Sequence, residues 1–336
     1  MAQLRIPRTW EIPERLATPE EVFLNRRQVL AALGFGALTA GLPTQVACAA
    51  PTPPTPPKVD PVKMLQPAVG PRFKDRFPAR RNPAFGLGGR TLTPEAKCAG
   101  YNNFYELTTT KDKVWELAAG YPVVPWKVEV AGLVARPRTY DLDDLFKFPL
   151  EERLYRHRCV ERWAMQVPWT GFPLKTLLDQ VQPLSTAKYV RFTSFADSER
   201  LPGMKETVSY YPWPYHEGLR LDEALHPLAF VVLGSYGHPL PMQNGAPLRL
   251  HCPWKYGYKS PKSIVKIELL AEQPPTFWHV LQPVEYGFYS NVNPKQPHPR
   301  WSQEIEEDIG TGEKRQTLPY NGYGEQVAGM YMGTEA

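Results

Sequence analysis

Thirty-eight of the 336 residues are proline, and no other feature limits the chain's fold so strongly. Proline lacks an N–H and clashes with the preceding helical turn, so it ends helices and is excluded from most central strand positions. Regular elements must therefore be short and lie between these stops. "WKVEVAGLV" (126–134) alternates apolar and charged residues, as a half-buried strand does. "DLDDLFKF" opens on Asp141, a good N-cap, and predicts a short helix. "PLKTLLDQV" (173–181) predicts another, with its proline near the first turn. "RLDEALH" predicts a third, which Pro227 ends. "LYRHRCV", "KYVRFTSFA", "AFVVLGSYGHPLP", "APLRLHCPW" and "SIVKIELL" predict strands. The pattern implies an α+β fold, mainly β, with long ordered loops. Such loops on a rigid core are where sites usually lie.

The first 49 residues point to export. Arg26 and Arg27 precede an apolar run from Val29 to Leu42, 14 residues against the roughly 20 that a membrane span needs. Ala47 and Ala49 are small residues at the positions a signal peptidase reads. The arginine pair and the mild, glycine-bearing core resemble a twin-arginine signal, which carries folded proteins and predicts a periplasmic location. A proline- and arginine-rich leader over 50–95 is expected to wrap the surface of a domain spanning 96–336. The whole chain carries +5, of which the signal holds five arginines against four glutamates, leaving about +4. That is too mild to suggest a nucleic-acid binder.

The chain has four cysteines, Cys48, Cys98, Cys159 and Cys252, none in a C-x-x-C pair, so zinc knuckles, dithiol redox motifs and c-type haem attachment lack support. Cys159 lies in "YRHRCVERWAM", among Arg156, His157, Arg158 and Arg162. Nearby cations lower a thiol's pKa and favour the thiolate that binds metal. The alternative is a small buried hydrophobe whose flanking arginines point away along an alternating strand. A second constellation, 243–267, holds Asn244, Arg249, Lys255, Lys259 and Lys262 with Gly245 and Gly257, a set that suits a phosphate. A third, "AGYNNFYEL", places Asn102 and Asn103 between aromatic residues, suiting a flat heterocycle.

Several longer segments carry a resemblance. "RRQVL", "GYNNFYE", "FPLEERLYRHRCVERWAMQVPWTGFPL", "EGLRLDEALHPL", "LPMQNGAPLRLHCPWKYGYKSPKSIV", "EYGFYSNVNP" and "HPRWSQ" resemble the periplasmic protein-methionine-sulfoxide reductase catalytic subunits, within the sulfite oxidase family of molybdenum enzymes. The resemblance implies the molybdopterin-binding fold of that family and one mononucleotide-free Mo-molybdopterin per chain. It implies that Cys159 is the thiolate ligand of molybdenum. Asn102, Tyr105, Glu106, Ser194, Asn244, Arg249, Ser260, Pro261 and Lys262 would contact the cofactor. Ser194 stands where the family has threonine and keeps the hydroxyl. On this reading the cations around Cys159 would keep its sulfur deprotonated, and Glu161 is a candidate for proton delivery, or else the partner of Arg158 or Arg162.

The implied activity is oxygen-atom transfer from methionine sulfoxide, a reversible oxidative lesion, in envelope proteins. The implied electron donor is a haem-containing membrane subunit, MsrQ, fed by the quinone pool. The chain itself shows no cysteine run for an iron–sulfur cluster and no G-x-G-x-x-G after a strand. Rival expectations are a sulfite-oxidase-like or general S-/N-oxide reductase, and an exported anion-binding protein with an inert cysteine.

Overall fold

A computed structural model describes residues 64–332 except 66, 119–122 and 207. The signal and the start of the leader lie outside the described residues. Two sheets organise the rest. The first has the order β2-β1-β10-β5-β6, built from β1 (Lys127–Gly132), β2 (Arg138–Asp141), β5 (Tyr189–Ser194), β6 (His216–Arg220) and β10 (Ile264–Leu270). Only β1 and β10 run parallel in it. The second holds β3 (Glu151–Arg158), β4 (Trp163–Pro173), β7 (Phe230–Ser235), β8 (His238–Pro239), β9 (Arg249–His251), β11 (Ile305–Asp308) and β12 (Lys314–Gln316).

The helices are short, as the prolines require. Asp141 caps Leu142–Phe146 by accepting the Asp144 amide at 2.9 Å. In Leu174–Val181 the buried side chains are Leu174, Leu177, Leu178 and Val181, an i, i+3, i+4, i+7 stripe. Each strand expected from the sequence is present, and β2, β4, β6, β11 and β12 are additions, of which β4 is the longest. Its residues are buried from Trp163 to Phe172, so no period-2 pattern marks it. β3 pairs β4 along 164–171, while β11 takes the start of β4 and β7 its end. Pro168 falls in the gap between the β11 and β7 ladders, where the strand needs no second donor.

Residues 67–93 run across the second sheet. Asn82 donates to the Glu152 carbonyl at 2.8 Å, and the Glu152 amide returns a bond to Arg80 at 2.9 Å, so this segment covers part of the β3 edge. Thr93 donates to Gln166 on β4 at 3.0 Å. The β3–β4 turn, the segment after Glu95–Gly100 and the loops flanking β9 then converge on one cavity.

Candidate active site

Cys159 is the first residue of a tight turn between β3 and β4. Its amide donates to the Trp163 carbonyl at 2.9 Å, and its carbonyl accepts the Arg162 amide at 3.0 Å. Arg162 takes the left-handed conformation, φ 72°, that closes this turn. The sulfur is buried and faces a cavity of roughly 940 Å³ with its open mouth included. Cys159, Asn102, Tyr105, Glu106, Glu161, Asn244, Arg249, Ser260, Pro261 and Lys262 all line it. These residues are drawn from four separate stretches of chain. Ser194 does not line it; its hydroxyl, at the end of β5, is buried without a hydrogen-bond partner.

The positive charge beside Cys159 serves a different purpose from the one expected. Arg158 is fully buried and pairs with Glu306 at 3.2 Å, while also bonding the Cys159 carbonyl and Gln303. Arg156 bonds the Gly322 carbonyl at 2.9 Å and covers the Tyr323 ring. Arg162 is exposed. The pleat sends alternate side chains to opposite faces, so Arg156 and Arg158 leave the face that carries His157. Burial, followed by the Glu161 charge, pushes the Cys159 thiol up to about 12, opposite to the expected direction. The side-chain amide of Asn103 reaches the sulfur at 3.6 Å, and the Glu161 amide reaches it at 3.5 Å.

Glu161 also has a different partner from those expected. Lys111 pairs with it at 3.1 Å, Asn103 donates to it at 2.8 Å and the Trp163 indole at 3.2 Å. Burial alone would raise this carboxyl, but Asn103, Lys111 and Trp163 together hold it below the usual carboxylate range. Glu106 goes the other way, pushed up by burial.

The second constellation divides cleanly. Lys255 pairs with Glu223 and Lys259 with Glu217, each at 2.6 Å and fully buried, so neither serves as an anion ligand. Arg249 and Lys262 do line the cavity, and no carboxylate of the described residues lies within ion-pair distance of either. Arg249 bonds the carbonyls of Asn244 at 3.1 Å and Ser260 at 3.2 Å, joining two loops of the wall. Lys262 bonds the Asn103 carbonyl at 2.6 Å. Burial pulls Arg249 down to about 10; burial, then the Arg249 charge, pull Lys262 down as well, and Glu106 offsets only part of this. Gly245, at φ 99°, lets Lys262 approach; a Cβ there would meet the Lys262 Cβ at 2.8 Å.

Asn102 turns away from the sulfur. It bonds the Ala99 carbonyl at 2.8 Å, finishing the helix Glu95–Gly100, and accepts the Asn244 amide at 3.2 Å. Its neighbour Asn103 does the reaching, and Asn103 Oδ1 and Trp169 Nε1 remain buried without partners in the cavity wall. Sequence reasoning offered Asn103 with Asn102 as a pair, but did not single out His157, Trp278 or Tyr286 as wall residues. The doubled asparagine was the available signal, but only the turn decides which amide faces inward. Cys98 lines the wall and Cys252 is buried elsewhere, each thiol pushed up to about 12 by burial. Among the described residues all three cysteines are free.

Cations without a carboxylate at ion-pair distance, an unpaired indole donor and a thiol in one cavity fit an anionic guest with a metal-binding end. The family described as oxidoreductase molybdopterin binding domain matches residues 118–278. A protein-methionine-sulfoxide reductase catalytic subunit, MsrP, of Ralstonia nicotianae is 45% identical over 335 residues, covering 97% of this chain and 95% of that protein. The sulfane dehydrogenase SoxCD of Paracoccus pantotrophus aligns with a TM-score of 0.42 and 13% identity, over 60% of this chain and 52% of that one, too loosely to support an argument.

Proposed function

This chain belongs to the protein-methionine-sulfoxide reductase catalytic subunits, and on that premise we propose that it reduces methionine sulfoxide, free and in proteins, to methionine. The observation that carries the reading is the pair of buried Arg249 and half-buried Lys262, in the wall beside a thiol and with no carboxylate of the described residues within ion-pair distance. They suit the phosphate of one molybdopterin, held by charge-assisted bonds. Asn244, Ser260 and Pro261 shape that end of the cavity, with Asn102 bracing Asn244. Tyr105 and Glu106 would meet the ring system, and Cys159 would supply the thiolate to molybdenum. Ser194, outside the lining, would join only if the cofactor reaches its unpartnered hydroxyl.

The bound molybdenum centre supplies two-electron oxygen-atom transfer. The chain's own groups bind and orient. Asn103 donates to the sulfur of Cys159 and to Glu161, fixing the two relative to each other. Glu161 is held ionised, so it orients donors and does not store a proton. Glu106, whose carboxyl is raised by burial, is the better proton holder of the cavity. Steady-state kcat/KM on molybdenum-loaded protein tests the reading. Turnover of sulfite with none of methionine sulfoxide would replace it with the sulfite-oxidase alternative, and protein that takes up no molybdenum would leave an anion binder.

The arginine pair at 26–27 supports export in folded form by the twin-arginine route, and so action on envelope proteins in the periplasm. A catalytic subunit implies a second subunit. We propose that this partner is a haem-containing membrane protein, MsrQ by the family resemblance, because the sequence carries no visible electron relay of its own. No helix among the described residues is long and apolar enough to cross a membrane. Methionine-sulfoxide repair that continued undiminished in cells without any such haem protein, with artificial dyes excluded, would refute the partner.

A further inference from the structure

The cavity wall continues outward as a chain of touching aromatic rings. Tyr286, Trp278 and Tyr105 line the cavity, with Trp278 5.2 Å from Tyr286 and 5.3 Å from Tyr105 between ring centres. Tyr211 contacts both Trp278, at 5.9 Å, and Tyr105, at 6.4 Å. Tyr210 meets Tyr211 edge-on at 4.9 Å and is 75% exposed, whereas Tyr286 is 7% exposed. Exposure thus rises step by step from wall to surface. Folding alone gives no reason to leave a tyrosine so bare at the end of this path. Tyr211 is anchored from below by Phe277, at 5.8 Å.

We propose that Tyr210 and Tyr211 form a shelf that binds the polypeptide flanking a methionine sulfoxide, favouring substrates with apolar neighbours. The inference rests on the reductase reading and adds a determinant for protein-bound over free substrate. Rigid rings offer contact area at small entropic cost. Aromatic edges also attract a thioether sulfur, which suits the inner rings Trp278 and Tyr286 to the side chain itself. A free amino acid ends within the inner rings, while a peptide must leave across Tyr211 and Tyr210. Apolar flanking residues are exposed in unfolded or damaged chains, so the shelf selects proteins in need of repair.

The test compares kcat/KM for a synthetic peptide carrying one methionine sulfoxide between leucines with that for free methionine sulfoxide. The peptide-to-free ratio should fall about fivefold in Tyr210→Ser, the scale of one aromatic contact. Tyr210→Phe should keep the ratio, since the ring and not the hydroxyl makes the contact. Leu184→Ser, another exposed apolar residue, 42% exposed and outside the cavity wall, is the control that should also keep it. An unchanged ratio in Tyr210→Ser, or an equal fall in Leu184→Ser, overturns the shelf. A wild type inactive on every sulfoxide overturns the reductase reading, and the shelf with it.

Discussion

Replacing Arg249 with methionine should separate stability from cofactor binding. The arginine donates to the carbonyls of Asn244 and Ser260, at 3.1 and 3.2 Å, and has no carboxylate partner. It also donates to the Leu250 carbonyl at 3.3 Å, so its loss leaves three carbonyls with one donor fewer, together about 3 kcal/mol at the lower end of the usual 1–3 kcal/mol each. Removing the charge offsets this. The fall of its pKa from 12.5 to about 10 corresponds to a penalty on the order of 3 kcal/mol against the buried cation. The two effects nearly cancel, as they do when buried ions are exchanged for apolar groups of similar size. Protein made without molybdenum should therefore melt within about 5 °C of the wild type. Molybdenum loading behaves differently, because the phosphate loses charge-assisted bonds worth about 1.5–3 kcal/mol each, or roughly tenfold to a hundredfold in affinity. Plasma mass spectrometry of metal per chain, beside a calorimetric scan of the metal-free protein, reads both. Full loading in the variant would refute the phosphate assignment. A collapse of the metal-free fold would show that the arginine is chiefly a structural clamp.

Four further outcomes follow from the geometry. Cys159→Ser should abolish turnover while the circular dichroism spectrum and melting point stay near wild type; near-normal turnover would remove the sulfur from its role as ligand. Lys255→Met leaves Glu223 buried and unpaired and should cost about 3–5 kcal/mol in urea unfolding, against a negligible change for an exposed lysine such as Lys175. Burial, with Arg249 beside it, lowers the His251 imidazole from 6.5 to about 3, so the unfolded chain binds the proton first as pH falls. Stability should then decline from pH 6.5 downward, with His251 contributing about 1.4 kcal/mol per unit, a share of the slope that His251→Phe removes while that of the equally buried His157 remains, as denaturant titrations across pH would read. Gly245→Ala forces a side chain into φ 99° against Lys262 and should destabilise by about 1–3 kcal/mol, and an unchanged unfolding midpoint would contradict the close approach.

Much of the fold was readable because local rules decide it. The Asp141 cap, the Leu174–Val181 stripe and the alternation of β1 each need only a dozen residues of context. β4 was not readable, since a strand buried on both faces shows no alternation and the prolines of "WAMQVPWTGFP" argue against a central strand. Only its staggered partners, β11 and β7, leave room for Pro168.

The site divides in the same way. The sequence by itself determined which chemical groups are present: a cysteine in a cation-rich run, an asparagine pair among aromatic residues, and a basic loop loosened by glycines. Those segments are short, and their residue types limit the chemistry whatever their orientation. Tertiary structure alone decided which groups face the cavity. Glu306 lies 148 positions from Arg158 and pairs with it, so burial outweighs the arginine's pull on the thiol, while Glu217 and Glu223 neutralise Lys259 and Lys255. No carboxylate of the described residues comes within ion-pair distance of Arg249 or Lys262, and Glu106 acts on Lys262 only from farther off. Ion pairing depends on distances of a few ångströms between residues far apart in the chain, and local sequence does not encode those distances.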